Sequence, residues 1–394
     1  MKNHTNNNLL KWYTNIYGWI LFLVINMSGN LCFETLLPYK VIITLLFIFL
    51  AYKVFREESI NIKHLSIIIT WLFILLLPGI YTINYSISST LHAFLKISIG
   101  ILTILYCKQH FCNYYVNIIF FLAIISLICF AYNNFVGILP FIPVDSTNLD
   151  NGNIYRVSSI LYTQLYNPIS GSFNLRNCGP FWEPGAFQGF LNLALFINIL
   201  YNKHDKYWML QNIIFIVTII TTYSTGGYIA LFTILLYQVF FSAKWHPITK
   251  IIVTIFFISI CIHFYNSLDF LGEKIVADDS RTGISASDFS SGAHLVFGYG
   301  YDVASFKNSK IQTASSIINL IRYSGIIGLI LYYLPALTRI RSIKDILFII
   351  IISTILFNEP FLTAGPFWWG IPLCLSLFTK KNKKFILKHS YTKT

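Results

Sequence analysis

The sequence predicts an all-α, polytopic integral membrane protein with about twelve transmembrane helices and two long outer loops. Three observations support this fold class. Apolar residues make up 56% of the chain and charged residues only 11%, the mean hydropathy is +0.64, and apolar runs of helix length recur along the whole sequence. A chain of this composition has to bury most of its surface in lipid.

The apolar runs define the predicted spans in order. They are Ile16–Phe33, Tyr39–Phe55, Leu65–Ile83, Thr90–Cys107, Tyr115–Leu139, Gly185–Tyr201, Tyr207–Thr222, Tyr228–Phe241, Ile251–Tyr265, Thr313–Leu334, Ile346–Phe357 and Phe367–Phe378. The first run lacks a small-residue cleavage site, so we expect it to remain as a span rather than to be removed as a signal peptide. The chain, 1–394, is then a single membrane domain.

The charges give these spans a direction. With the N-terminus in the cytoplasm, the inner connections hold most of the basic residues and the outer connections most of the acids, as the positive-inside rule requires. The outer acids are Glu34, Asp145, Asp150, Glu183, Asp269, Glu273, Asp278, Asp279, Asp288, Asp302 and Glu359. Both termini are therefore predicted to be cytoplasmic. The net charge of +13 reflects this topology and not nucleic-acid binding, because the basic residues are dispersed between the spans.

Two connections, 140–184 and 266–312, are much longer than the others, and the parity of the spans places both outside. Long loops in a compact protein usually carry function. Neither loop has the pattern of an independently folded domain. We expect each to contain a short helix or two.

Two hairpins are predicted to sink into the membrane. Tyr207–Thr222 and Ile346–Phe357 would form helices of about 24 Å and about 18 Å, shorter than a hydrocarbon core of roughly 30 Å. Their turns, Ser224–Gly227 and Asn358–Pro360, would then lie below the outer surface, where irregular backbone has to line protein or a wet cavity. The alternatives are a locally thinner bilayer or spans that begin earlier in the sequence.

A late span carries polar residues that are costly in lipid. Arg322 lies about nine residues into the run, roughly 13 Å deep, and shares one helix face with Ser315 and Asn319. Gly325 and Gly328 would let a neighbouring helix approach. An arginine at this depth has to face protein or water, so it belongs either to a substrate path or to an ion pair between helices.

Two further features have both a functional and a structural interpretation. Lys96 lies on a polar stripe of the fourth span, where it would meet either a substrate or a neighbouring helix. Ser224 opens a Ser-Thr-Gly-Gly sequence whose backbone N–H groups would suit a phosphate, although a plain tight turn explains the sequence as well.

The stretch Arg176–Gln188 joins the first long loop to an apolar helix. Pro184 suits the first position of that helix, and Glu183 before it is favoured by the helix dipole. A charged cap with interfacial aromatic residues is the simpler interpretation. The outer half of the protein, however, gathers Arg176, Arg281, Arg322, Lys96, Glu183 and Glu359. A basic cavity open to the outer leaflet suits an anionic amphiphile, and a lipid diphosphate is the natural candidate.

Other enzyme signatures are missing from the sequence. It contains no Walker loop, GxSxG, HExxH or DxD motif, and its seven cysteines include no CxxC pair. Nucleotide-driven transport, serine hydrolysis and metal-held nucleotide-sugar chemistry therefore lack support. No cofactor and no metal site is predicted.

Three local patterns occur together with this layout. Arg176 is followed by Gly-Pro-Phe-Trp-Glu-Pro-Gly at 179–185, Arg281 precedes Phe-Gly-Tyr-Gly at 297–300, and Asn319 leads to Gly-Ile-Ile-Gly at 325–328. In these respects the chain resembles the Wzy-type O-antigen polymerases. The resemblance covers most of the chain as a layout, and the Arg-to-Glu-Pro-Gly stretch is its most specific motif.

The resemblance implies a metal-independent glycosyltransferase in a bacterial inner membrane. Such an enzyme transfers a polysaccharide from one undecaprenyl diphosphate carrier to the non-reducing end of a carrier-linked repeat unit, on the periplasmic face. It implies O-antigen or a related surface polysaccharide as the product, with a chain-length regulator and a flippase as candidate partners. The related O-antigen ligases have a histidine shortly before the asparagine of a late span, and 312–319 contains none. Polymerase therefore fits better than ligase, and the general base is left open.

The implied reaction assigns candidate roles. The diphosphate has to be held as charge builds on it, and an acceptor hydroxyl has to lose a proton. The candidates for binding are Arg176, Arg281, Arg322, Asn319, Lys96 and Ser224, and those for the base are Glu183, Glu359 and His294. Burial would raise the pKa of the carboxyls and a nearby arginine would lower it, while a solvated loop residue is the plainer interpretation of His294. A lipid-linked oligosaccharide flippase is the alternative from another class, although it would not need two long outer loops and should show internal repeats.

Overall fold

The computed structural model describes residues 11–30, 32–33, 37–57, 62–80, 82, 85–137, 139, 142–145, 155–159, 161–167, 172–173, 176–201, 206–242, 247–248, 250–251, 255, 292–300 and 315–375. Its helices are α1 (Ile16–Asn26), α2 (Tyr39–Arg56), α3 (Ile62–Leu76), α4 (Ile87–Cys107), α5 (Phe111–Phe135), α6 (Pro184–Tyr201), α7 (Trp208–Thr221), α8 (Thr225–Tyr237), α9 (Gly292–Phe297), α10 (Ser316–Leu337), α11 (Ile343–Asn358) and α12 (Phe361–Ala364). Residues 367–375 form a last helical stretch.

The described chain is mostly helical, and four of its helices are long and apolar enough to cross a membrane. They are Ile62–Ile80, Ile87–Cys107, Phe111–Phe135 and Ser316–Leu337. Shorter apolar helices are Ile16–Asn26, Pro184–Leu200, Trp208–Thr221 and Thr225–Phe240. The prediction of a helical chain with membrane-length apolar helices is confirmed, whereas the count of about twelve spans stays a prediction. Most of the predicted span 251–265 lies outside the described residues.

The first long loop contains a small antiparallel sheet, so the expectation of only a short helix or two there was wrong. The strands are β1 (Ile142–Asp145), β2 (Tyr155–Ser159), β3 (Tyr162–Asn167) and β4 (Ser172–Phe173), paired in sequence order. Ser159 pairs with Tyr162, which leaves a two-residue connection between β2 and β3. That connection, Ile160-Leu161, lacks the Asn-Gly or Asp-Gly that usually marks such a turn. Tyrosine, valine and threonine favour strands, but the runs are short.

Helix α6 lies at the centre of the described helices. Every residue from 184 to 199 is buried, and the helix packs against α5, α7, α8 and α11. Two of its glycines lie at contacts with other elements: Gly185 lies against Glu359, and Gly189 lies against Phe361 and Ile355. Small residues allow such close approach. The loop that precedes α6 is therefore fixed to the best-packed part of the protein.

Reporter fusions test the predicted orientation of this bundle. Fusions at Asn151 in the first long loop and Ser287 in the second should both give an outside signal, because the positive-inside rule predicts that both loops lie outside the cytoplasm. An enzyme that is active only outside the cytoplasm supplies the readout. An inside signal at either position would contradict the prediction that the site described below lies outside the cytoplasm.

Candidate functional site

The segment 176–183, which we call the Arg-Glu loop, is fastened to the end of α7. The Asn177 backbone N–H donates to the Thr221 carbonyl at 3.0 Å. Its side-chain amide donates to Thr221 Oγ1 at 3.0 Å and to Ser126 Oγ at 3.3 Å. Its Oδ1 accepts from the Gly179 N–H at 3.0 Å. These bonds join α5, α7 and the loop around one fully buried amide.

Strand β3 and the turn after α1 hold the other side of the Arg-Glu loop. The Thr163 N–H of β3 donates to the Gly179 carbonyl at 2.6 Å, and the Trp182 N–H donates to the Gly29 carbonyl at 3.1 Å. Thr163 Oγ1 also donates to the Pro180 carbonyl at 3.3 Å. The small sheet is thus part of the support of this loop.

Arg176 closes the turn between α7 and α8. Its Nε donates to the Thr222 carbonyl at 3.1 Å, and its Nη2 donates to the Tyr223 carbonyl at 3.0 Å. Both carbonyls follow the last residue of α7, where a cation is favoured by the helix dipole. Tyr223 has a φ of 47°, a value that side chains other than glycine adopt at a cost. The guanidinium therefore stabilises the turn that leads into α8.

Glu183 begins α6. Its carbonyl accepts the first helical hydrogen bond, from Phe187 N at 3.3 Å, so Glu183 occupies the N-cap position. Its Oε1 accepts from the Trp182 indole Nε1 at 2.8 Å. The side chain is partly exposed. A carboxylate at this end of a helix is favoured by the dipole.

Glu359, which follows α11, contacts the first turn of α6 from a distant part of the sequence. A Cβ atom built on Gly185 would overlap the Glu359 carboxylate at Oε1 and would lie 2.6 Å from its Cδ. Only a glycine leaves room for the carboxylate there. The Glu359 side chain is 8% exposed. The first turn of α6 is thus flanked by two carboxylates, from Glu183 and Glu359.

Three helix N-termini converge on the turn that contains Glu359. The α6 N-terminus contacts Glu359 through Gly185, and the α8 N-terminus contacts Asn358 through Gly226. At the α10 N-terminus, Ser316 donates to the Glu359 carbonyl from its N–H at 3.1 Å and from its Oγ at 2.6 Å. Each helix N-terminus carries a partial positive charge of about 0.5. Their combined field favours an anion at this point.

The charges of the described cluster do not by themselves favour a diphosphate. Arg176 contributes one positive charge, while Glu183 and Glu359 contribute two carboxylates. Burial lowers the pKa of Arg176 below its ordinary value, and the nearby Cys178, Glu183, Glu359 and Tyr228 oppose this only in part. A guanidinium nevertheless stays protonated in proteins. A diphosphate at this cluster would need more positive potential, which the three helix N-termini and further cations would have to supply. The same arrangement gives each carboxylate a different environment, as an acid–base pair needs.

Three other predicted residues lie next to this cluster. Ser224 is buried before α8, next to Tyr223, whose carbonyl Arg176 binds, and its side chain does not cap the helix. Asn319 and Arg322 lie about one and two turns into α10, whose first residue bonds to the Glu359 carbonyl. Both are buried, and Arg322 is only 5% exposed. The structure therefore brings Arg176, Glu183, Glu359 and Ser224 together, and places Asn319 and Arg322 on α10, the helix that starts beside Glu359.

The remaining predicted residues lie elsewhere. Lys96 Nζ donates to the carbonyls of Thr363 at 2.7 Å and Ala364 at 3.4 Å, at the end of α12. A cation there stabilises the short helix, and its role in substrate binding stays a prediction. His294 belongs to α9, where its ring stacks on that of Tyr299 with centroids 4.0 Å apart, and its role as a base likewise stays a prediction. Arg281 lies outside the described residues.

The stretch Arg176–Gln188 stands out in the sequence, but the sequence assigned no individual role to several residues that build the site. Gly185 provides the space for Glu359, Asn177 fixes the Arg-Glu loop, and Gln188 lies against Gly227. Gln188 Oε1 accepts from Asn192 at 2.9 Å, and Asn192 also donates to the Gly227 carbonyl at 3.1 Å. The available signal was an asparagine and a glutamine in a strongly apolar run, because such groups need partners when they are buried.

Substitution of Glu183 by glutamine tests whether this residue is more than a helix cap. A cap charge alone contributes about 0.3–1 kcal/mol to the free energy of unfolding, and glutamine can still accept from Trp182. If the chain makes a polymer, as its resemblance implies, and Glu183 moves a proton, we expect Glu183→Gln to lower polymer output at least about tenfold. Surface polysaccharide is compared by gel electrophoresis at matched expression. Normal polymer length and amount would show that the carboxylate is not required.

Comparisons with known proteins do not extend these observations. No protein-family model matches the chain, and no curated protein gives a significant match to it.

Proposed function

We propose that this protein polymerises undecaprenyl-diphosphate-linked oligosaccharide repeat units into O-antigen or a related surface polysaccharide, at the periplasmic face of a bacterial inner membrane. One observation carries the proposal. Three helix N-termini, Arg176 and the carboxylates of Glu183 and Glu359 meet at the turn after α11. This arrangement combines a field that favours an anion with groups that accept a proton.

The proposed reaction is a glycosyl transfer. The hydroxyl oxygen of the acceptor sugar forms a bond with the anomeric carbon of the donor glycan. The bond from that carbon to the diphosphate oxygen breaks, and undecaprenyl diphosphate leaves with the electron pair. The hydroxyl proton passes to a carboxylate of the enzyme. The growing glycan is thereby transferred to the non-reducing end of the incoming repeat unit.

The residues divide this work between them. We assign proton transfer to Glu183 or Glu359, which flank the first turn of α6. Diphosphate stabilisation falls to the helix N-termini together with Arg322 and Arg281, because the half-buried Arg176 alone cannot offset two carboxylates and a diphosphate. Arg176 holds the turn before α8 through its two carbonyl bonds, and its charge adds to the potential there.

Deletion of the gene tests this function in the cell. A polymerase mutant still makes, exports and attaches one repeat unit, so we expect the ladder of polysaccharide lengths to collapse to a single capping unit on an electrophoretic gel. Complementation with the intact gene should restore the ladder. Loss of all surface glycan would instead indicate a flippase or a ligase, and an unchanged ladder would exclude a role in this polysaccharide.

A further inference from the structure

Helix α10 is broken in its middle by a glycine. Gly325 has φ 64° and ψ −170°, a backbone conformation that is essentially restricted to glycine. A break of this kind deprives the carbonyls one turn earlier of their helical N–H donors. Residues 316–324 therefore form a separate half-helix, and this half-helix carries Asn319 and Arg322.

The outer segment 297–300, which we call the strap, supplies the missing donors. The Tyr299 N–H donates to the Arg322 carbonyl at 2.6 Å, and the Gly300 N–H donates to the Tyr323 carbonyl at 3.1 Å. Gly298, with φ 78°, leaves room for the backbone of Tyr323, and Gly325 leaves room for the Val296 carbonyl. Strap and half-helix thus fit together only with glycine at both positions.

A stacked pair of rings braces the strap. His294 on α9 stacks on Tyr299 with ring centroids 4.0 Å apart and planes inclined by 10°. The His294 carbonyl also accepts from the Gly298 N–H at 2.8 Å. Through these contacts, His294 helps to hold the strap against α10.

The half-helix is held at both of its ends. At its start, Ser316 donates twice to the Glu359 carbonyl, and Ser316 Oγ accepts from the Leu362 N–H at 3.1 Å. At its end, the strap binds the carbonyl of Arg322 itself. The position of Arg322 therefore depends on two chain segments that lie outside α10.

We propose that the strap and Gly325 are positioning residues that hold Arg322 for the diphosphate of the lipid carrier. This inference rests on the proposed function for the identity of the ligand. Discontinuous helices occur at the substrate sites of other membrane proteins, where irregular backbone lines a cavity. Here the break gives one arginine a fixed relation to Glu359 at one end and to an outer loop at the other.

The test compares glycine-to-alanine variants in α9, the strap and α10. Gly325→Ala should force the backbone out of its conformation and expel the Val296 carbonyl. Gly292→Ala at the first residue of α9 is the control, because its Cβ would meet no atom within 4 Å among the described residues. Gly298→Ala should separate the strap from the half-helix through a clash with the Tyr323 backbone. It replaces Gly325→Ala if that variant does not fold.

Hydrogen exchange on the purified protein measures the strap directly. The amides of Tyr299 and Gly300 should be protected in the wild type and in Gly292→Ala, and should exchange at least about tenfold faster in Gly325→Ala and Gly298→Ala. Unchanged protection in both broken variants would overturn the inference.

Binding of undecaprenyl diphosphate measures the positioning of Arg322. We expect Arg322→Ala and Gly325→Ala each to raise the Kd at least about tenfold, and the double variant to bind no more weakly than Arg322→Ala alone, because the glycine acts through the arginine. Effects that multiply, or normal binding by a variant with a released strap, would overturn the positioning role while leaving the proposed function intact. A wild type that does not bind the lipid would refute the function, and the exchange result would still decide the strap.

Discussion

Gly185→Ala is expected to lower polymerisation about 100-fold although it removes no charged or polar group. The added methyl would overlap the Glu359 carboxylate, and the buried side chain would have to turn away from the first turn of α6. A displacement of about 1 Å from the productive position is enough for a loss of this size. Activity is measured with purified protein on a lipid-linked repeat unit, and folding is followed by thermal unfolding.

A matched control and a compensating variant separate this effect from overpacking. Gly189→Ala adds the same methyl one turn later, where it meets Phe361 and Ile355; it should lower stability and leave the activity of the folded fraction unchanged. Glu359→Asp withdraws the carboxylate by about 1.5 Å. The double variant Gly185→Ala/Glu359→Asp should be about tenfold more active than Gly185→Ala. Full activity of Gly185→Ala at wild-type stability would remove Glu359 from the site.

Arg176→Ala is expected to abolish activity and to lower the free energy of unfolding by about 2–3 kcal/mol. The change removes two charge-assisted hydrogen bonds to the turn between α7 and α8. Arg176→Lys keeps the charge but not the planar fork that reaches both carbonyls. We therefore expect it to lose about half of that stability and to retain at most about a tenth of the activity.

The control for Arg176→Lys is an arginine whose guanidinium does not bind two backbone carbonyls. Arg56 is exposed, and its Nη1 contacts only the Tyr52 hydroxyl at 3.3 Å among the hydrogen bonds of the described residues, so Arg56→Lys should change neither stability nor activity. Full activity in Arg176→Lys would contradict the role of the fork. A loss in Arg176→Ala that is explained wholly by unfolding would reduce Arg176 to a structural cap.

Hydropathy and helix punctuation located the central helices closely. The run Gly185–Tyr201 corresponds to α6 at Pro184–Tyr201, and Tyr207–Thr222 corresponds to α7 at Trp208–Thr221. These limits follow from local physics, since proline suits a helix start and apolar runs of this length form helices in lipid. The same local argument identified Glu183 as the residue before α6.

Contacts between distant parts of the chain could not be predicted from the sequence. Gly185 and Glu359 meet only because α6 and α11 pack together, and nothing in either segment indicates the other. Gly325 was interpreted as a point where a neighbouring helix approaches, whereas it carries a positive φ and packs against the Val296 carbonyl of α9. The break in α10 is visible only in the folded chain, where the Tyr299 N–H donates to the Arg322 carbonyl.

The sheet of the first long loop was missed for a related reason. Its strands are two to six residues long, too short for a clear alternation of apolar and polar residues. They are stabilised by their mutual pairing and by the bonds from Thr163 to the Arg-Glu loop. Such pairing is a property of the folded chain, so a local sequence pattern does not reveal it.

Reconstituted polymerisation tests the proposed function most directly. Purified protein in lipid nanodiscs is incubated with a synthetic undecaprenyl-diphosphate-linked repeat unit, and the glycans and released lipid are analysed by mass spectrometry. A polymerase should yield products longer by whole repeat units and release one undecaprenyl diphosphate for each bond formed. The variant that lacks the base, Glu183→Gln or Glu359→Gln, should yield neither. Recovery of the repeat unit unchanged from correctly folded wild-type protein would contradict the proposal.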